Sequence, residues 1–215
     1  MNSRIQRGSK IRPLDAFRNE EEEEEEDDKA ERGQGPDPFA AKFLKTRQIL
    51  LSGEINKPLA EKIVRQLLIL ESDSKDPIKI YIDSPGGDAD AGYAIFDMIR
   101  FIDAPVYTIG MGLVASAGSI ILLAAPKERR FALPNSHYLI HQPLSGIKGV
   151  ATEIEIHAAE LEKMRVRINR LIADETGLPI EKVSKDTDRD FWMNAEEAKE
   201  YRLVSKIVAK RSELP

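Results

Sequence analysis

From Gln48 onward, short apolar runs alternate with segments of helical period, and no other feature restricts the fold as much. Gln48-Ile49-Leu50-Leu51 reads as a first strand closed by Ser52-Gly53. Asn56, with Pro58 just behind it, marks a helix start. Ile63, Val64, Leu67, Leu68 and Leu70 then recur at helical spacing. Pro77 opens a second strand, Ile78-Lys79-Ile80-Tyr81-Ile82, with its isoleucines on one face. Asp88 to Ile102 is predicted as an amphipathic helix that places Tyr93, Ile95, Phe96, Ile99 and Phe101 at buried or boundary positions, and Pro105 to Ile109 as a third strand. This alternation predicts an α/β architecture with right-handed crossovers. It does not select one α/β fold.

The third strand delivers the chain to Gly110–Pro143, where the chemistry-bearing residues concentrate. Ser116 sits in a run of small residues, Val114-Ala115-Ser116-Ala117-Gly118, and His141 follows 25 positions later. Small neighbours let a substrate carbonyl reach a serine hydroxyl. A serine at a helix start lies beside unpaired, positively polarised N–H groups that can hold an oxyanion. A run of this kind also serves tight helix packing, so it carries chemistry only in the right context. Serine needs a base to take its proton, and histidine suits the task at neutral pH. His137, Leu139 and His141 share one face of a strand, so strand geometry alone does not choose between the two histidines. The acid that orients the base is equally open among Asp186, Asp188 and Asp190, with Arg189 a candidate ion-pair partner for Asp186 or Asp188.

Composition narrows the alternatives. With 215 residues and 41% hydrophobic side chains the chain can bury a substantial core. It has no cysteine, hence no disulfide and no thiolate metal site, and three histidines supply a zinc site poorly. The net charge of −5 hides a −9 block at 20–28; the rest carries +4, supplied by the first nineteen residues. No basic face announces nucleic acid. No run is long and apolar enough for a membrane span, and no secretory signal is apparent. G-x-x-x-x-G-K-[ST] is absent, so the chain is not expected to hydrolyse ATP itself.

Several motifs in order resemble one family, the proteolytic subunits of the Clp protease (ClpP). They are Ser84-Pro85-Gly86-Gly87 followed by Ala91-Gly92, Met111-Gly112, Ala115-Ser116, Leu133-Pro134-Asn135-Ser136, Ile140-His141-Gln142-Pro143 and Asp186-Thr187-Asp188-Arg189-Asp190. The likeness spans roughly residues 45 to 210. It implies a ClpP/crotonase-like α/β fold of repeated β-β-α units with a protruding strand-helix handle. It implies a serine endopeptidase with Ser116 as nucleophile, His141 as base and Asp190 as orienting acid. The oxyanion would be held by the backbone N–H groups of Gly87 and Ala117, and an extended substrate would pair along Gly86, Asp88 and Leu144. No metal and no cofactor are implied, ATP being used only by a partner AAA+ unfoldase such as ClpX, ClpA or ClpC. The implied setting is self-assembly into stacked heptameric rings, with unfolded polypeptides as substrates. The implied localisation is cytoplasmic, of the bacterial type, or an organelle. The alternative is a catalytically dispensable assembly subunit working with an active ClpP paralogue; a crotonase-type acyl-CoA enzyme shares the fold class.

The sequence departs from the family pattern in places. Asp83 stands where Asn is common, Ala117 where a larger residue often follows the serine, and Lys79 where an aromatic is frequent. The usual H-Q-P-x-G-G becomes His141-Gln142-Pro143-Leu144-Ser145-Gly146, one glycine short. Ala151 to Ala173 reads as the longest helix, ended by Gly177, with Ile154, Ala158, Leu161, Met164, Ile168, Leu171 and Ile172 on its apolar side. His157 on that helix reads as a solvated or interface residue near Glu153 and Glu160. Ile180 to Ser184 and Ala195 to Tyr201 read as short helices, and Leu203 to Val208 as a closing strand. Residues 1–35 read as a disordered tail, basic then acidic, ahead of a peptidase domain at 36–215. The tail is read as a solvated extension, or more sharply as a gating segment.

Overall fold

A computed structural model describes residues 38–215; the tail expected at 1–35 lies outside them. The chain divides into units 1–42 and 43–215. Of the first, only the opening residues of helix α1 (Pro38–Lys45) are described, a helix absent from the sequence reading.

The second unit is built on a mostly parallel sheet. Its strands are β1 (Gln48–Ser52), β2 (Ile78–Ser84), β3 (Val106–Ala115), β4 (Arg130–Ala132), β5 (His137–Ile140), β6 (Phe191–Asn194) and β7 (Lys206–Ile207). β1, β2, β3, β4 and β7 are neighbours in that order, all parallel; β5 also pairs with β3, and β6 runs antiparallel to β5. Helices α2 (Lys57–Asp73) and α3 (Ala89–Phe101) are the crossovers between the first three strands. Both start on side-chain caps: Asn56 Oδ1 accepts the Leu59 N–H at 2.9 Å, and Asp88 Oδ1 the Ala91 N–H at 2.8 Å. The alternation in β2 holds, with Ile78, Ile80 and Ile82 fully buried.

β3 is longer than the sequence suggests and pairs with two strands in turn. Thr108–Gly110 pair with β4, and Leu113–Ala115 pair with β5. The change falls at Gly112, whose φ of +53° suits glycine, beside a register shift between Ile82 and Ser84 in β2. Asp83 fills the space a Cβ would occupy there and accepts the Leu113 N–H at 3.0 Å.

After β3 come α4 (Ala117–Leu122), fully buried, and a 3₁₀ turn at Lys127–Arg129. Arg130 is buried as well: its guanidinium donates to Ala125 O at 2.7 Å and Glu175 O at 3.0 Å and pairs with the Glu175 carboxylate. That pairing ties β4 to the end of the long helix α5 (Ala151–Thr176). α5 stops at Gly177 with φ +66°, the left-handed cap expected there. α6 (Ile180–Asp186) and α7 (Ala195–Glu200) follow.

Several expectations are corrected. Phe101 is 78% exposed, because it lies four residues after Asp97 on the outward face of α3. The apolar side of α5 is buried only toward its end, at Ile168, Ile172 and Ala173, whereas Ile154 and Ala158 are exposed. The closing strand shrinks to Lys206–Ile207, since only Phe131 and Ala132 of short β4 are available to pair with it. Asp188 pairs with Arg165 at 3.2 Å, and Asp186 with Lys182 at 2.8 Å, instead of with Arg189.

Candidate active site

Ser116 is placed by the join of β3 and α4. Among the described residues it is one of three non-glycine residues with positive φ, at φ 53° and ψ −119°, a strained conformation of the kind that functional sites hold. The strain is sustained by neighbours on both sides: the Ser116 N–H donates to Leu139 O at 2.9 Å, and its carbonyl accepts the Ser119 N–H at 2.9 Å. The buried Ser119 hydroxyl contacts Val114 O at 3.1 Å and Leu139 O at 3.0 Å, bracing the same corner.

The Ser84-Pro85-Gly86-Gly87 turn packs directly behind the serine. A Cβ on Gly86 would meet Ser116 Cβ at 2.6 Å, and one on Gly87 would meet Ile55 O at 2.2 Å. Ile55 N–H donates to Gly86 O at 2.8 Å and Asp88 N–H to Ile55 O at 2.7 Å. In a parallel bridge of this kind the N–H and C=O of Gly87 itself turn to the other side. Of the three residues around this turn singled out in the sequence, Gly87 therefore offers free main-chain groups, while the Gly86 carbonyl and the Asp88 N–H are engaged by Ile55. The Ala117 N–H is the first of α4, where a helix has no preceding turn to accept it.

His141 follows β5, whose neighbour β6 lies close to the acidic segment. His141 Nδ1 lies 3.2 Å from Asp190 Oδ1, with the imidazole 13% and the carboxylate 62% exposed. Two bonds from the adjacent residue set this approach: Gln142 N–H donates to Thr187 O at 2.6 Å, and its side-chain amide to Asp188 O at 2.6 Å. The acidic segment is anchored in turn, for the buried Thr187 hydroxyl lies 2.7 Å from Asn169 Oδ1 and 2.9 Å from Val183 O. The glutamine of the His-Gln-Pro run thus straps base to acid, a role the motif alone did not reveal. His137, the other candidate on the strand, is exposed, and its residue pairs with Asn194.

Ser116, Ala117, Gly87, Asp88, His141 and Leu144 line one cavity of about 950 Å³. Ile120, Leu161 and Met164 give it an apolar wall; Asp90, Glu160, Lys163 and Arg167 charge its rim. Among the described residues the Ser116 hydroxyl has no hydrogen-bond partner, so serine and imidazole share the cavity without being bonded to each other. Catalytic hydrogen bonds are often long in unliganded sites. The cavity also holds His157, whose Nε2 lies 2.7 Å from Ser145 Oγ. Sequence reasoning left His157 outside the site, because a helix residue 41 positions from the serine carries no local signal. No cluster of metal-binding side chains occurs among the described residues, and no described helix is long and apolar enough to cross a membrane.

Comparison with known proteins identifies the family. The sequence model of the family described as Clp protease matches residues 31–211. The ATP-dependent Clp protease proteolytic subunit 2 of Treponema denticola is 72% identical over 188 residues, covering 87% of this chain and 94% of that protein. Proteolytic subunit 3 of Rhizobium etli is 49% identical over 174 residues, covering 81% and 90%. Among solved structures, ClpP1 from Listeria monocytogenes matches with a TM-score of 0.75 at 50% identity, covering 82% of this chain and 99% of that one.

Proposed function

The chain belongs to the Clp protease family as a proteolytic subunit, a serine peptidase, and on that premise we propose that Ser116, His141 and Asp190 perform the chemistry. His141 Nε2 takes the Ser116 proton as Oγ attacks the scissile carbonyl, forming a tetrahedral intermediate. His141 then returns the proton to the leaving amine. Water repeats the sequence on the acyl-enzyme, releasing the second peptide and restoring Ser116. Asp190 holds the imidazole through Nδ1. The Gly87 and Ala117 N–H groups donate hydrogen bonds to the oxyanion as its negative charge develops. The observation that carries this reading is that the imidazole paired with Asp190 faces the cavity lined by the strained Ser116.

Substrate enters extended and pairs along Gly87 and Leu144. Main-chain pairing tolerates many sequences, which suits unfolded polypeptides. The assembled protein is read as stacked heptameric rings enclosing these sites, fed by an AAA+ unfoldase of the ClpX, ClpA or ClpC type that alone uses ATP. Numbered subunits among the relatives support a ClpP paralogue as a further ring partner. The working compartment is read as the cytoplasm. An assembly subunit without chemistry of its own is not favoured, because the full set of groups is retained around one cavity. The test uses assembled wild type and Ser116→Ala with a fluorophosphonate and a short fluorogenic peptide, without ATP. Labelling confined to Ser116, and loss of both signals in the variant, is the expected result. Labelling elsewhere, or peptide cleavage that survives Ser116→Ala, overturns the reading.

A further inference from the structure

The segment joining His141-Gln142 to α5 carries Leu144, one of the edges read above as pairing with substrate, and almost nothing holds it. Among the described residues, 143–149 make a single hydrogen bond to the rest of the chain, between Ser145 Oγ and His157 Nε2 at 2.7 Å. Leu144 is 81% exposed, and no residue from Leu144 to Val150 is buried. Its flanks are fixed: Gln142 is bonded to Thr187 and Asp188, and the Val150 N–H donates to Glu153 Oε2 at 3.2 Å. Of residues 151–160, which open α5, His157 alone is partly buried, and both His157 and Ser145 line the cavity that Ser116 faces.

We propose that Ser145 and His157 are positioning residues that latch the Leu144 edge to α5 at the height at which an extended peptide pairs with it. This rests on the reading of Leu144 as a substrate edge. A strand-adding ligand needs the receiving main chain held straight, and an edge free to swing must be ordered at binding, which costs affinity. One bond next to Leu144 removes that cost in advance. A serine hydroxyl can donate to a neutral imidazole and accept from a protonated one, so the latch is indifferent to the charge on His157. A glycine at 145 would leave the imidazole without this partner.

The experiment measures an internally quenched extended peptide and, separately, the rate of fluorophosphonate labelling at Ser116, on the assembled full chain. In Ser145→Ala and His157→Ala, KM for the extended peptide rises about three- to tenfold, the range expected for one lost hydrogen bond. Labelling at Ser116 stays within about twofold of wild type, because the latch acts on the edge and not on the hydroxyl. The double variant is no worse than either single, as two partners of one bond require. Ser145→Thr, which keeps the hydroxyl, restores KM. Unchanged KM, additive losses, or a fall in labelling that parallels the peptide defect overturns the latch. Failure of wild type to label at Ser116 would instead remove the active-site reading beneath it.

Discussion

Asp83 and Leu113 are joined across the bend of the sheet, the Leu113 N–H donating to Asp83 Oδ1 at 3.0 Å. The bond stands where β3 leaves β4 and turns to β5, three residues before Ser116. It accepts an N–H that the bulge between Ile82 and Ser84 takes out of the ladder. Asp83→Ala is expected to lower stability by about 1–3 kcal/mol, the cost of losing a charged partner. It should also slow labelling at Ser116. Asp83→Asn keeps the acceptor oxygen and should stay near wild type. Thermal unfolding midpoints of the two variants check this; equal losses would mean that the carboxylate charge, and not the acceptor, matters.

Gly87 tolerates no side chain. Its φ is +143°, and a Cβ would sit 2.2 Å from the Ile55 carbonyl oxygen, which is backbone and cannot swing aside. Gly87→Ala should push the turn off Ile55 and misdirect the N–H proposed for the oxyanion. A kcat lower by about a hundredfold or more is expected, the scale of losing one oxyanion donor. Measuring kcat and KM on a short peptide separates this from a binding defect, which would raise KM alone.

Thr187 links the acidic segment to α5 through Asn169. Thr187→Val keeps the shape but leaves Asn169 Oδ1 without the hydroxyl at 2.7 Å, in a place where both residues are buried. The expected loss is about 1–3 kcal/mol of stability. A drop in kcat should accompany it, as Asp190 loses its fixed approach to His141. Denaturant midpoints and peptide kinetics on one preparation test both.

Asp190 is 62% exposed, so water competes for the carboxylate that orients His141. Its replacement should therefore cost less than the roughly 10⁴-fold lost when a buried triad aspartate becomes asparagine. For Asp190→Asn the expected fall in kcat is about a hundredfold, the low end for general base catalysis. A fall as deep as that of the buried case would mean that assembly buries this residue.

Tyr138 is fully buried, its hydroxyl 2.9 Å from Ser136 Oγ, and burial pushes its pKa up to about 12. In the unfolded chain a tyrosine ionises near about 10. Below that pH both states keep the proton and the stability is fully present. As pH rises from about 10 to about 12 the unfolded state ionises first, so about 2–3 kcal/mol of stability is lost. Tyr201, raised by burial and by its bond to Asp186, adds to the same alkaline loss. Tyr138→Phe should flatten the fall without abolishing it, as unfolding free energies across this range will show.

Much of the fold was legible because its causes are local. The isoleucine alternation of β2, the cap at Asn56 and the stop at Gly177 each act within a few residues and are readable there, whereas the cap at Asp88 is shown only by the structure. Phe101 and the opening turns of α5 were misjudged, because periodicity tells which face is apolar but not whether a partner covers it. Helix α1 was missed because its eight residues carry too short a pattern.

The candidate site divides along the same line. Residue type and order were enough to name a serine among small neighbours, a histidine after a strand and an acid in the Asp186–Asp190 cluster, since those depend on what a side chain can do chemically. Which groups meet was decided by tertiary structure. The 3.2 Å approach of His141 to Asp190 follows from the Gln142 strap, and the turn at Ser116 from the bond of its N–H to Leu139 O on the neighbouring strand. His157 reached the cavity only because α5 folds back across it. Contacts between residues dozens of positions apart depend on the packing of whole elements, and no local stretch of sequence contains that geometry.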